Sequence, residues 1–327
     1  MSSRPARRSR TAPRRHQAGV ALITAVLIVA LATILAVSVG FKGYLDQRRS
    51  ATLYSLDQGY EIGMGAEGWA ADILRKDQQG GSKTDDFTEA WATPMPPIPV
   101  DGGEVVGQLE DMQGRFNLNT LVKMENGVLV ADKAAVQRFK NLLQILELED
   151  KWADIIADWL DTDGEAGFPD GAEDNVYTSL QPPYRTPNLR ITRPSEVLAI
   201  AGMDLAIYRK LAPFISALPA DTPINLCTAS PEVLDSLTAG TREFTQARDN
   251  TAELRKQRCY PSLQDFKARL SPEQQRELES VIGESSSYFR ANIWVTIGTT
   301  QFTLYSLLYR ANGTHLVRPI LRSFGTD

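Results

Sequence analysis

Hydrophobic and polar positions divide this chain into five stretches. A leader carrying Arg4, Arg7, Arg8, Arg10, Arg14 and Arg15, with no acid, runs into Gln17-Ala18-Gly19. From Val20 to Val39 every residue is apolar or small, and the next charge is Lys42. Such a run makes a helix of ~30 Å at ~1.5 Å per residue, the thickness of a bilayer's hydrocarbon core. It is longer than the apolar part of an ordinary secretory signal, and no small-x-small cleavage site follows it. The pattern therefore predicts a retained membrane anchor. Arginines held on the cytoplasmic side would put everything after Lys42 outside.

Residues 42–78 keep helical spacing (Tyr44, Leu45, Leu53, Leu56, Ile62, Trp69, Ile73, Leu74) and contain no proline. Gly59, Gly63, Gly65 and Gly68 weaken that helix and predict close packing or a bend. A break follows at Gln78-Gln79-Gly80-Gly81, then a loop marked by Pro94, Pro96, Pro97 and Pro99. Residues 104–117 alternate like strands around a turn at Gln113-Gly114. Helices are predicted over 131–148, 152–160, 195–201, 205–217, 230–238, 263–270 and 271–282, several opening on Pro-Ser or Ser-Pro. Beyond Ser287, residues Phe289, Ala291, Ile293, Val295 and Ile297 alternate with polar neighbours, and Asn312-Gly313 marks a hairpin in an antiparallel meander.

Strands, then helices, then strands predict an α+β fold with a large all-helical domain inserted between strands of one antiparallel sheet. The corresponding divisions are a leader over 1–19 and an anchor with its extended helix over 20–78. An α+β domain comes from 79–120 and 288–327, and the helical insertion occupies 121–287.

Charge sharpens this picture. The whole chain carries −5, but the leader takes six of the 35 basic residues and none of the 40 acids. The remainder is strongly acidic, which argues against nucleic acid as a partner, because nucleic acid is held by neutralising phosphate. It suits a hard cation such as calcium. Both cysteines, Cys227 and Cys259, fall in the exported part, where an even pair predicts a disulfide worth about 3–4 kcal/mol. His16 lies in the leader, so His315 alone would have to serve any His-dependent triad, and no nucleophile motif accompanies it. The expectation is that the chain is not an enzyme.

Between Glu147 and Asn175 stand eleven acids and one base, Lys151. Gly164, Gly167, Pro169 and Gly171 make this a loop, which crowds carboxylates together instead of spreading them along a helix. Asp161, Asp163 and Glu165 match the first positions of an EF-hand, but Ala166 replaces its glycine and Glu173 falls one residue late. Two readings remain, a calcium loop of another type and a solvated acidic turn. For the first, the candidate ligands are Asp161, Asp163, Asp170, Glu173 and Asp174.

Residues 197–204 (VLAIAGMD) resemble the hairpin of a helix–hairpin–helix element, and Ile224-Asn225-Leu226-Cys227-Thr228-Ala229 a related one. In DNA-binding modules such hairpins offer backbone amides to phosphate. Here basic neighbours are missing and Asp204 is present, so a purely structural unit fits better.

The leader junction allows two readings, a plain signal-anchor and a prepilin-like signal. In the second, a dedicated peptidase cuts after Gly19, leaving Val20 as a methylated N-terminus and the apolar segment intact. The fifth mature position, usually Glu in that class, is Thr24 here. A Glu in the bilayer needs a cationic partner such as the amine of the subunit stacked above it. Its absence points to a subunit with none above.

Gln17-Ala18-Gly19-Val20-Ala21-Leu22, Thr24, Asp158-Trp159-Leu160-Asp161, Gly171-Ala172-Glu173-Asp174 and Ile224-Asn225 with Thr228-Ala229 together resemble the minor pseudopilin K family of type II secretion systems. The resemblance runs from Gly19 to the C-terminus. It implies a pilin-like sheet with a calcium-binding helical insertion, in the inner membrane with the large domain in the periplasm. It also implies processing by prepilin peptidase, a ternary complex with minor pseudopilins I and J, and a place at the tip of the pseudopilus. There such a subunit starts assembly and aids export of folded proteins. The competing reading is a membrane-anchored DNA-binding protein of a competence pilus.

Overall fold

A computed structural model describes residues 18–167, 170–238, 240–311 and 313–325. The leader arginines, Pro169 and the Asn312 of the expected turn lie outside the described residues. One helix, α1, runs from Ala18 to Gln79. The chain divides into two units, residues up to Asp57 and residues from Gln58 onward. In the first, the apolar side chains from Val20 to Val39 are all exposed to the surroundings. This helix is long and apolar enough to cross a membrane.

The second unit contains a five-stranded antiparallel sheet with strand order β1 (Ile98–Val100), β2 (Gly103–Asp111), β9 (Tyr288–Ile297), β10 (Thr300–Arg310) and β11 (Val317–Phe324). Its inward face carries Phe289, Ala291, Ile293, Val295 and Ile297, the alternation expected from the sequence, packed with Val105, Leu109, Leu304 and Leu308 against Ala70, Ala71 and Leu74 of α1. Two glycines let the helix reach the sheet. A Cβ at Gly59 would stand 2.8 Å from Phe302 Cβ, and one at Gly63 2.8 Å from Phe302 Cε1.

Between β2 and β9 lies the insertion. It comprises β3 (Phe116–Asn117), β4 (Val122–Glu125), β5 (Val128–Ala131), α2 (Lys133–Ile145), α3 (Lys151–Leu160) and α4 (Asp174–Tyr177). There follow α5 (Leu205–Leu211), β6 (Ile215–Ser216), β7 (Ile224–Asn225), α6 (Pro231–Leu237), α7 (Glu243–Gln246), α8 (Arg248–Arg255), α9 (Leu263–Lys267), α10 (Pro272–Glu277) and β8 (Ile282–Gly283). These elements close around a second, separate core that includes Phe116, Phe139, Trp152, Trp159, Tyr177, Phe244 and Phe266. Serine caps start three of the helices: Ser230 accepts from Val233 N, Ser262 from Asp265 N and Ser271 from Gln274 N.

Two expectations are corrected here. The insertion is not all helical. β4 and β5 form an antiparallel hairpin, and α2 starts only at Lys133, where Asp132 caps the amides of Ala134 and Ala135. The strands expected around a turn at Gln113-Gly114 are β2 and β3. The Asp111 carboxylate accepts from Gln113 N, Met112–Gly114 form a 3₁₀ turn, and a Cβ on Gly114 would lie 2.9 Å from Thr228 O. β3 pairs in parallel with β6. The helix expected over 205–217 stops at Leu211, and the turn containing Pro213 then feeds β6.

A polar seam joins the sheet to the insertion. Asn225 Nδ2 lies 2.8 Å from Asp85 O, 2.9 Å from Asp111 Oδ2 and 3.0 Å from Ser286 Oγ. Thr228 and Ser286 also donate to Asp111 Oδ2, at 2.6 and 2.7 Å. Arg310 bridges Asp77 and Asp85 nearby.

Candidate metal centre

Helix α3 is apolar on the face it buries, yet Asp158 and Asp161 are 3% exposed. They stand three residues apart on α3 and its C-cap, hence on the same side of the helix. Asp161 closes α3, its amide donating to Ala157 O at 2.9 Å. The chain then turns through Asp163, whose carboxylate accepts from Glu165 N. It re-enters at Glu173, the residue that starts α4.

One carboxylate oxygen from each of Asp161, Asp163 and Glu173 lies within 4.8 Å of the others. Asp161 and Glu173 are buried, and Asp161 Oδ1 and Glu173 Oε1 have no hydrogen-bond partner among the described residues. Burial pushes Asp161 up to about 8, with the charges of Asp163, Asp158 and Glu173 adding to the rise. Burial likewise lifts Glu173 to about 7, with Asp158 and Asp163 contributing. Burial lifts Asp158 to about 6 while backbone amides of Gly167 and Ala172 pull the other way. Without a positive centre these carboxylates repel, and a hard cation with oxygen ligands removes that penalty. The orphaned buried oxygens fit such a cation.

Of the five expected ligands, the structure groups Asp161, Asp163 and Glu173. Asp170 is exposed and stands outside the group. Asp174 is committed elsewhere: its carboxylate accepts from Thr186 N and Oγ1 at 3.1 and 3.2 Å and lies 3.4 Å from Arg185. Asp158 joins the site's electrostatics although the sequence did not single it out as a ligand. Its Oδ2 accepts from Gly167 N at 2.9 Å, and a Cβ on Gly171 would fall 2.1 Å from that oxygen, so this approach requires glycine. The i, i+3 spacing in Asp158-Trp159-Leu160-Asp161 was the signal available for it.

The hairpin-like segments serve the fold. Asp204 caps α5 by accepting from Ile207 N at 2.7 Å. Asn225 is wholly buried in the polar seam. Cys227 and Cys259 are joined by a disulfide, Cα–Cα 4.6 Å.

A family model described as type II secretion system (T2SS), protein K matches residues 114–220. Type II secretion system protein K of Pseudomonas aeruginosa is 35% identical, over 95% of this chain and 94% of that protein. The protein of the same name from Aeromonas hydrophila is 31% identical, over 93% and 96%. The crystal structure of the GspK-GspI-GspJ complex from enterotoxigenic Escherichia coli contains a chain that superposes with a TM-score of 0.74 at 23% identity, covering 85% of this chain and all of that one.

Proposed function

The chain belongs to the type II secretion system protein K family, the minor pseudopilins, and on that premise we propose that it occupies the tip of the pseudopilus in complex with minor pseudopilins I and J. Its apolar helix lies in the inner membrane and its folded part in the periplasm, where it starts assembly and helps drive folded proteins across the outer membrane. The observation that carries the tip position is Thr24. Its hydroxyl donates back to Val20 O and Ala21 O at 3.1 and 3.0 Å, so the fifth mature position is uncharged and satisfied within its own helix. A residue of that kind asks nothing of a subunit above it. The role is structural, and the chain catalyses no reaction.

Prepilin peptidase cuts between Gly19 and Val20 in this reading and leaves a methylated Val20. Gly19 is exposed with no neighbouring side chain, which suits a processing site. Calcium is the cation proposed for Asp161, Asp163 and Glu173, with Asp158 supporting the site from behind. The ion would supply the positive charge that fastens the end of α3 to the start of α4. DNA binding through the hairpin-like segments finds no support.

The direct test is the N-terminal mass of the membrane-bound protein together with its co-purification with pseudopilins I and J. Expected are a chain starting at methylated Val20 and a stable ternary complex. Intact leader in cells with active prepilin peptidase would refute the processing. Failure to associate with I and J would refute the tip assignment.

A further inference from the structure

One face of α8 lines a cleft of about 370 Å³ bounded by Phe87, Pro231, Arg248, Thr251, Arg255 and Lys256. Its charge is opposite to that of the exported chain as a whole. Arg248 is paired with Glu232 and Lys256 with Glu253. Arg255 has no carboxylate partner among the described residues. The residue is 8% exposed, and its guanidinium donates only to neutral carbonyls: Nε to Tyr260 O at 2.7 Å, and Nη2 to Leu226 O and Ala229 O at 3.1 and 2.6 Å. Nη1 makes no hydrogen bond among the described residues.

A buried cation without a counter-charge is costly, and burial lowers the pKa of Arg255 to about 10. Its position is fixed from several sides. The carbonyls of Leu226 and Ala229 flank Cys227, whose disulfide to Cys259 ties that turn to the segment just after α8. The Phe87 ring stands 5.8 Å from the guanidinium carbon.

A second group in the cleft is unsatisfied. Thr251 is 2% exposed and its Oγ1 has no hydrogen-bond partner among the described residues. Helical threonines ordinarily turn the hydroxyl back onto the preceding turn's carbonyl. Here that bond is not made. Thr251 and Arg255 are four residues apart on α8 and so share one face. A buried hydroxyl and an uncompensated guanidinium therefore line one cleft, whose mouth carries the apolar Phe87 and Pro231.

We propose that this cleft binds a carboxylate borne on an apolar stem, with Arg255 and Thr251 as its donors and Phe87 against the stem. With Nε and Nη2 committed to carbonyls, Nη1 is the guanidinium donor left for one carboxylate oxygen, and the Thr251 hydroxyl can serve the other. The stem can come from a free acid or from an acidic side chain of another protein.

The test uses the full chain in nonionic detergent, reading the Arg255 Nε–H and Thr251 amide NMR signals during titration. Probes are hexanoate, the capped tripeptide Ac-Leu-Glu-Leu-NH₂, its Gln analogue, and inorganic phosphate. Saturable shifts with hexanoate and the Glu peptide, with the Gln peptide silent, identify a protein carboxylate. Shifts with hexanoate alone identify a free acid. Thr251→Val removes only the hydroxyl and should fold at least as well while weakening binding about 3–10-fold. Arg255→Lys should weaken it further, because one ammonium cannot hold the Leu226 and Ala229 carbonyls and also reach the ligand. No saturable shift with either carboxylate overturns the proposal, as does binding unchanged in Thr251→Val. Equal binding of phosphate, lost in the same variants, overturns the carboxylate assignment.

Discussion

Arg322 on β11 grips Glu67 on α1 with two hydrogen bonds, Nε to Oε2 and Nη2 to Oε1, both 2.8 Å. Glu67 is 5% exposed and its Oε2 also accepts from Ser306 Oγ on β10 at 2.6 Å. One carboxylate thus fastens the helix to an edge strand and to its neighbour. Glu67→Ala should destabilise the folded part by about 1–3 kcal/mol, because it leaves Arg322 and the buried Ser306 hydroxyl without their acceptor. Glu67→Gln should cost less, since one acceptor oxygen survives. Urea unfolding of the two variants against the parent reads the difference.

The glycines of α1 divide by what they face. Gly59→Ala would drive a methyl into Phe302 Cβ and should be destabilising, because the contacted atom lies at the base of that side chain. Gly65→Ala meets nothing within 4 Å and should stabilise the helix by up to about 1 kcal/mol. Opposite shifts in melting temperature for the two substitutions are expected. Shifts of the same sign would mean that Phe302 yields to the new methyl.

Asp111 gives the fold a pH dependence. Complete burial pushes its carboxyl up to about 6 from 3.8, although Thr228, Ser286, Gln113 N and Asn225 donate to it. The folded chain therefore holds that proton to higher pH than the unfolded chain does. The contribution of Asp111 to stability falls as pH rises from about 4 to about 6 and is flat above. Asp111→Asn should remove this component at the cost of a broken donor set. Thermal unfolding of parent and variant at several pH values between 4 and 7 isolates it as the difference in slope.

Calcium should raise the melting temperature and a chelator should lower it, by linkage of about 2.7 kcal/mol at 100 times Kd. Magnesium should substitute poorly because it demands a tighter shell and gives up water reluctantly. Asp161→Asn and Glu173→Gln should each remove most of the response. Asp174→Asn should retain it, since that carboxylate serves Thr186 and Arg185 instead. A melting temperature indifferent to calcium would reduce the cluster to an acidic turn.

Local patterns carried most of the architecture. The alternation of Phe289 to Ile297 marked β9, and Ser230, Ser262 and Ser271 marked helix starts, because each signal lies within a few residues of what it specifies. The hairpin of β4 and β5 was obscured because Ala131, the last residue of β5, runs into the apolar pattern of α2 and reads as the helix start. The two-residue strands β3, β6, β7 and β8 have no period of their own and exist only through distant partners. In the acidic loop, composition pointed to a cation but could not rank the acids. Asp158 and Asp174 differ in what packs around them, Gly171 in one case and Thr186 in the other, and only the folded chain brings those neighbours in. The isolation of Arg255 was equally hidden, since its partners are backbone carbonyls with no side-chain signature.

The pairing of Asp111 with Phe289 at the end of the β2–β9 ladder has a topological consequence. Both ends of the helical insertion leave the sheet at one point, as the two arms of a hairpin leave its turn. The whole second core is, in this sense, the loop of a single β-hairpin. Loop-closure entropy grows only with the logarithm of loop length, so the sheet tolerates so large a loop at little more cost than a short one. The insertion can accordingly grow, shrink or exchange its contents without changing the register that holds the sheet to α1.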